Sequence, residues 1–394
     1  MSAVTRIIFF VETPFNRRDY DRFGIEILQK NGFDVEVWDF ASFLRPHAPQ
    51  RAAESDSVGW CGHKQFSSRH EALGAISTLT PSCFVVCIVA YQLGSFSVYR
   101  ALSRVPAKYC ILMTNAVPVG SAVENPRSIL ARIGQSSPRR LLNALFSRIP
   151  SRYLGIRPAV ALLAGGEQSV RGWFPYPRNH ETTILWAHTL DYDVYLNERD
   201  RTVPVDVKMG VFLDEYLPFH PDYDRLKLTP FSSAGAYYPG LRRFFGFLER
   251  EHGARIVIAA HPHSRYEDRP EDYFGGRPVV QGKTLELVRK AGFVIAHSST
   301  ALNFAVLFRK PVLFITTDSL QRSQRMARSI QAMAAWLGKT PVNVDAPLNQ
   351  DWKKELAVDT EAYARYREAY IKTAGSPDKP VWQIFADHLN TVEA

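Results

Sequence analysis

What most constrains this chain is an alternation kept up almost from end to end: short, apolar, β-branched runs separated by stretches with helical periodicity. Strands buried on both faces read as continuous apolar runs, and the helices between them make the sheet parallel. The first unit is the clearest. Residues 6–12 (RIIFFVE) read as a buried strand. Residues 18–31 place Phe23, Ile27 and Leu28 on one helical face, Gly32 ends that helix, and residues 34–40 (DVEVWDF) form the next strand. The strand series continues at 83–89, 107–114, 159–166 and 182–188, then at 207–216, 254–262, 293–299 and 311–317. Helices are expected at 238–252, 283–291, 299–309, 319–337, 361–374 and 380–391, and residues 45–70 read as an excursion.

A polar, proline-containing stretch at 197–205 reads as a linker. The expected architecture is α/β, with two Rossmann-like domains facing across a cleft, one over 1–200 and the other over 201–375. Residues 376–394 are expected to form a helix packing back on the first domain. A length of 394 residues suits two domains at roughly 100–200 residues each. Ligands of such sheets sit beyond the carboxyl ends of the strands.

Composition excludes several classes. With 46% hydrophobic and 22% charged residues, the chain is neither disordered nor fibrous. No apolar run approaches the ~18–20 residues of a membrane-spanning helix, and the N-terminal run soon meets Glu12, so it reads as a strand rather than a signal peptide. Cys61, Cys83, Cys87 and Cys110 are too irregularly spaced for a disulfide framework or a zinc site, which points to a reducing cytoplasm. The turn Thr13-Pro14-Phe15-Asn16 lacks the glycines of dinucleotide and P-loop sites. A net charge of +9 favours an anionic partner. Nucleic acid is not expected, for want of zinc-finger spacing, an aromatic RNP-like strand or a long basic tail. Residues 126–157 carry Arg127, Arg132, Arg139, Arg140, Arg148, Arg152 and Arg157 and no acid, with Leu141, Leu142, Leu145 and Phe146 among them. Such a segment either lies on an anionic membrane face or is a surface helix packing its leucines on its own core.

Four motifs fall at expected strand ends. His261-Pro262 closes one strand and is followed by His263 and Ser264. Its imidazole either donates to a phosphate oxygen or caps a turn. His297-Ser298-Ser299-Thr300 closes another strand, where the hydroxyls cap the next helix or hold an anion. Lys283 lies between the two and opens a helix. Together they suit a nucleotide phosphate held without a metal, since no cluster of metal ligands is visible. Asp214-Glu215 ends a buried strand, where acids are costly unless they have a task. Asp214 is read as general base or covalent nucleophile, against a salt-bridged carboxylate. Glu167, after Gly165-Gly166, and the segment with His188, Asp191 and Asp193 are read as acceptor-binding groups, against ordinary turn chemistry.

The pair His261-Pro262 and Ser298-Ser299-Thr300, with the strand-end acids Asp214-Glu215, resembles the motifs of bacterial CMP-sugar glycosyltransferases, a group that includes sialyltransferases and the Kdo transferases of capsule and lipopolysaccharide assembly. Residues 212–222 (FLDEYLPFHPD) and 188–196 (HTLDYDVYL) look closest to the retaining β-Kdo type. The resemblance implies a GT-B fold that acts without a metal or other cofactor. It implies a CMP-activated acidic sugar as donor and a glycan or lipid-linked glycan as acceptor, at the inner face of the cell membrane. In that frame His261, Pro262, Ser298, Ser299 and Thr300 hold the CMP phosphate and ribose, with Arg265 and Lys283 near the sugar carboxylate. Asp214 becomes the nucleophile, Glu167 and His188 serve the acceptor hydroxyl, and Asp191 and Asp193 bind the acceptor. An inverting sialyltransferase, a CDP-glycerol or UDP-sugar polymer transferase and a non-catalytic glycan-binding scaffold are the alternatives. The chain departs from the pattern at Tyr216, where several such enzymes carry glycine.

Overall fold

A computed structural model describes residues 3–46, 59–118, 138–171, 176–223 and 228–393. The chain forms two compact units. The first is Met1–Asn115, Val123–Leu190 and Thr373–Ala394; the second is Ala116–Ala122 and Asp191–Lys372.

The first unit holds strands β1 (Arg6–Val11), β2 (Asp34–Asp39), β3 (His63–Gln65), β4 (Cys83–Cys87), β5 (Lys108–Met113), β6 (Ala161–Ala164) and β7 (Thr183–Trp186). They pair in parallel in the order β3-β2-β1-β4-β5-β6-β7. The second holds β8 (Asp206–Leu213), β9 (Arg255–Ala260), β10 (Val279–Gln281), β11 (Ala291–Ala296), β12 (Val312–Thr316) and β13 (Val342–Asn343), in the order β10-β9-β8-β11-β12-β13. In each sheet the chain winds outward from its first strand and then returns to that strand's other side. The direction therefore reverses between β1 and β4, and again between β8 and β11, and at such a reversal the loops diverge and leave a crevice.

Side-chain alternation along each strand feeds two cores. Val211 and Leu213 of β8 join Val257, Val294 and Ala296 on one face of the second sheet, whereas Phe212 joins Ile256, Ile258, Phe293 and Ile295 on the other. Both faces are covered, which is why these strands read as unbroken apolar runs. In the first unit Ile8 and Phe10 face one core and Ile7, Phe9 and Val11 the other. The helix Val381–Glu393 supplies Trp382 and Phe385 to the latter.

Several elements differ from their sequence expectation. The helix expected over 18–31 is two, Arg17–Arg22 and Ile25–Lys30, broken at Gly24 in the left-handed conformation with φ 54°. A Cβ on Gly24 would lie 2.3 Å from the Trp382 ring, so the break follows from tertiary packing. The helix expected over 319–337 divides at Ser323, whose hydroxyl accepts from the Met326 N–H. Strand β3 emerges from the 45–70 excursion. The chain enters the second unit at Asp191, ahead of the linker read at 197–205, because Tyr192 on the helix Leu190–Glu198 is buried in that unit's core. It returns to the first unit at Thr373.

Arg127 and Arg132 of the arginine-rich stretch lie outside the described residues. Cys61 is exposed, Cys83, Cys87 and Cys110 are buried, and all four are free thiols. Among the described residues no helix is long and apolar enough to cross a membrane.

Candidate functional site

The reversal of winding in the second sheet sets the site. β8 lies between β9 and β11, so its carboxyl end is flanked by the turn at His261 and by the turn at His297. The two acids that follow β8 each tie it to one neighbour. Asp214 faces β9: one carboxylate oxygen accepts from the Tyr216 N–H at 3.1 Å. The other accepts from the Tyr266 hydroxyl at 2.9 Å and the His261 N–H at 3.4 Å. Glu215 faces β11, accepting from the Ser298 N–H at 2.6 Å and the Ser298 hydroxyl at 3.1 Å. Burial pushes the Asp214 carboxyl up to about 6 against those hydrogen bonds. It pushes Glu215 up to about 7, with the Asp214 charge adding to the effect.

Tyr216 makes this turn possible. It adopts φ 53°, a left-handed conformation that a bulky residue holds only under constraint. Its ring is buried, edge-on to Tyr266 at 5.0 Å, and Arg269 donates to its hydroxyl at 3.1 Å. The backbone therefore keeps a glycine-type geometry without the glycine.

A cavity of about 330 Å³ opens beyond these strand ends, entirely within the second unit. Glu215, His220, Asp222, His261, Ser298, Ser299, Thr300 and Ser329 supply its polar wall. Tyr223, Phe231, Leu217 and Met326 supply an apolar one. Arg325, exposed on the helix Gln324–Trp336, completes the lining with its guanidinium 5.9 Å from the Phe231 ring. The rings of His220 and His261 pack edge to face at 4.9 Å. Nδ1 of His261 accepts from the His263 N–H, and Nδ1 of His220 from the Asp222 N–H, each at 3.2 Å. In the neutral rings the proton is thereby placed on Nε2, as a donor. Gln281 holds the His261 turn, its amide donating to the carbonyls of His261, Pro262 and Ser264 at 3.1, 2.9 and 3.1 Å.

Of the residues singled out from the sequence, His261, Ser298, Ser299 and Thr300 share this cavity. Asp214 does not line it: it is 3% exposed and spent on the turn, and the carboxylates in the lining are Glu215 and Asp222. Of the two strand-end acids, Glu215 rather than Asp214 therefore reaches the cavity. Pro262, Arg265 and Lys283 are exposed and outside the lining. Asp191 accepts from the Asn303 amide at 3.1 Å, and neither it nor Asp193 lines the cavity.

Glu167 and His188 belong to the first unit. Glu167 pairs with Arg171 at 2.7 Å, one helical turn on. His188 is fully buried, its ring nitrogens 3.1 Å from the Thr189 carbonyl and 2.7 Å from that of Lys379. It thereby fastens the returning C-terminal segment at Lys379. His297 is likewise buried, between the Ile315 carbonyl at 2.7 Å and the Tyr237 hydroxyl at 2.8 Å, and desolvation lowers it to about 4. Sequence reasoning missed Arg325, His220 and Gln281. His220-Pro221 repeats the His261-Pro262 dipeptide and was legible as such, whereas Arg325 sits in a helix whose approach to the cavity no local pattern encodes.

No known family pattern matches the chain, and no curated protein is similar to it in sequence. Solved structures are similar in fold. The wall teichoic acid polymerase TagF matches with a TM-score of 0.57 and 11% identity, over 99% of this chain and 89% of that one. CalG4, the calicheamicin glycosyltransferase, matches with a TM-score of 0.52 and 11% identity, over 100% and 98%. The UDP-GlcNAc 2-epimerase of Methanocaldococcus jannaschii, solved with UDP-GlcNAc and UDP, matches with a TM-score of 0.50 and 11% identity, over 98% and 100%. The chain is an α/β protein of the GT-B type, with two Rossmann-like units.

Proposed function

We propose that this chain is a glycosyltransferase whose second unit binds a nucleotide-activated sugar. The observation that carries the reading is one cavity that joins an arginine, two histidines, three consecutive hydroxyl residues, aromatic walls and a carboxyl group raised to about 7. Glycosyl transfer passes through an oxocarbenium-like transition state with charge growing on the leaving phosphate. Arg325, His220, His261 and the hydroxyls of Ser298, Ser299 and Thr300 stabilise that charge, and Tyr223 and Phe231 cover the base. Glu215 is near enough to half-protonated at neutral pH to exchange a proton or stand as a carboxylate beside the anomeric carbon. Asp214 and Gln281 are positioning residues that hold the His261 turn.

Among the described lining residues Arg325 is the only arginine or lysine. One guanidinium, partly offset by the Asp222 carboxylate in the same lining, matches the single charge of a phosphodiester better than the two of a diphosphate. That supports a CMP-linked sugar. The acidic sugar, Kdo or a related nonulosonic acid, is proposed from the likeness of the His-Pro and Ser-Ser-Thr motifs to those of CMP-sugar transferases. A glycan or lipid-linked glycan is the proposed acceptor, with no metal required. The similarity in fold to a wall teichoic acid polymerase favours, as a second reading, a polymer transferase using a nucleoside diphosphate donor.

Thermal stabilisation by CMP, CDP and UDP, with and without Mg²⁺, tests the proposal. A ligand at 100 times its dissociation constant adds about 2.7 kcal/mol. A metal-independent shift with CMP that Arg325→Gln removes supports the first reading, and preference for CDP or UDP the second. Absence of any shift overturns nucleotide binding at this cavity.

A further inference from the structure

In the first unit, the helix Pro138–Phe146 is anchored by its last residue. Phe146 is buried against Tyr91 at 5.0 Å and Phe96 at 5.9 Å, and Asn143 accepts from the Leu93 N–H at 3.1 Å. That anchorage leaves the neighbouring leucines outside the core. Leu142 is 52% exposed and Leu145 59%, and further along the chain Ile149 is 41% and Tyr153 70% exposed. Arg148 and Arg152 are exposed beside them, and among the described residues neither pairs with a carboxylate. No acidic residue occurs in the sequence from 126 to 157.

Four large exposed apolar side chains close together in sequence are costly on a surface that meets only water, and the two arginines among them have no carboxylate partner among the described residues, Arg152 donating to the Tyr153 hydroxyl at 3.0 Å. A purely apolar face would suit another protein. An apolar face with a rim of one charge suits the boundary between acyl chains and anionic headgroups, where both halves are satisfied at once. We propose that Leu142, Leu145, Ile149 and Tyr153 insert into an anionic lipid bilayer while Arg148 and Arg152 meet its headgroups. This surface would dock the enzyme where lipid-linked acceptors lie, yet it is independent of the nucleotide cavity, and its test does not depend on transferase activity.

The full chain is to be floated with phosphatidylcholine vesicles that contain or lack phosphatidylglycerol. Three proteins are compared: wild type, Leu142→Ser/Leu145→Ser and Arg148→Gln/Arg152→Gln. All four substituted positions are exposed, so both variants are expected to fold, which their circular dichroism and the unaltered CMP-induced shift check. Wild type should bind the anionic vesicles and leave them as salt rises past about 0.15 M, where the screening length falls to roughly 8 Å. Removal of each arginine should weaken binding on the order of fivefold, and the leucine variant should lose binding even at low salt. Equal binding to neutral and anionic vesicles overturns the proposal, as does unchanged binding by both variants. Sedimentation that shows wild-type dimers broken by the leucine variant, with no vesicle binding, overturns it in favour of contact with a second copy of the chain.

Discussion

Glu215 holds its proton through a part of the pH range in which the same residue in an unfolded chain has lost it. Its ordinary value of 4.5 is pushed to about 7 by burial and by the Asp214 charge. Between those limits the folded state binds more protons, so the contribution of Glu215 to stability falls as pH rises. Asp214 acts with the same sign from 3.8 to about 6. His297 acts oppositely: its unfolded value of 6.5 drops to about 4, so its contribution rises with pH across that interval. The wild-type profile mixes these slopes, but the difference between Glu215→Gln and wild type isolates one. Relative to wild type, the variant should gain melting temperature steadily from pH 4.5 to about 7 and then level off. Calorimetry at a series of pH values checks this, and a constant difference would refute the shifted carboxyl. The same substitution should lower kcat for sugar transfer far more than it weakens CMP. At this scale the sequence was partly legible. Two acids ending an apolar strand stood out, but which one faces the ligand depends on the left-handed turn at Tyr216, and no feature of the sequence announces that turn.

The pairing of β8 with β11 holds both sides of the cavity, and it depends on two glycines. A Cβ on Gly292 would lie 2.2 Å from the Val207 carbonyl oxygen, at the irregularity where the β8–β11 register shifts. A Cβ on Gly210 would lie 2.4 Å from the Phe293 ring. The first obstacle is backbone and cannot rotate away, so β11 must move. Gly292→Ala should therefore cost about 1–3 kcal/mol, the range of overpacked sites. Because Ser298 follows β11, the movement should also loosen its bond to Glu215 and weaken CMP. Gly235→Ala is the control. Nothing lies within 4 Å of a Cβ there, and in the first turn of the helix Ala234–His252 alanine should be neutral or gain up to about 1 kcal/mol. Urea titration and CMP affinity of the two variants separate these cases; equal stability of both would show that the strands accommodate a methyl group. The buried strands themselves were legible, since apolar runs bounded by turn residues need no tertiary knowledge. The break at Gly24 and the division at Ser323 were not, because a ring from the far end of the chain sets the one and a side-chain cap the other.

At the scale of the molecule, the second unit interrupts the first in sequence: the chain leaves at Asp191 and returns at Thr373 to finish a core it began at β1. Trp382 carries that return. It is 1% exposed, sits edge-on to Phe9 at 4.9 Å and donates to the Arg22 carbonyl at 2.6 Å. Truncation of such a side chain costs about 3–5 kcal/mol, because the cavity left behind cannot close. Gly24 and the two helices it separates are shaped around the ring, so little collapse is available to them. Among the described residues the cavity is lined only by residues between 215 and 329, all of the second unit. Trp382→Ala should therefore lower the melting temperature of the full-length protein while leaving CMP affinity near wild type at a temperature where the variant is folded. Calorimetry with and without CMP tests both halves. A loss of CMP affinity without loss of stability would mean that Trp382 serves the site rather than the core. Helical periodicity made the terminal helix itself legible, but its partners lie more than 350 positions earlier in the chain. Val381, Trp382 and Phe385 share a core with Ile7, Phe9 and Val11 of β1, so the returning helix completes a face of the first sheet that no local pattern in residues 1–190 assigns to it.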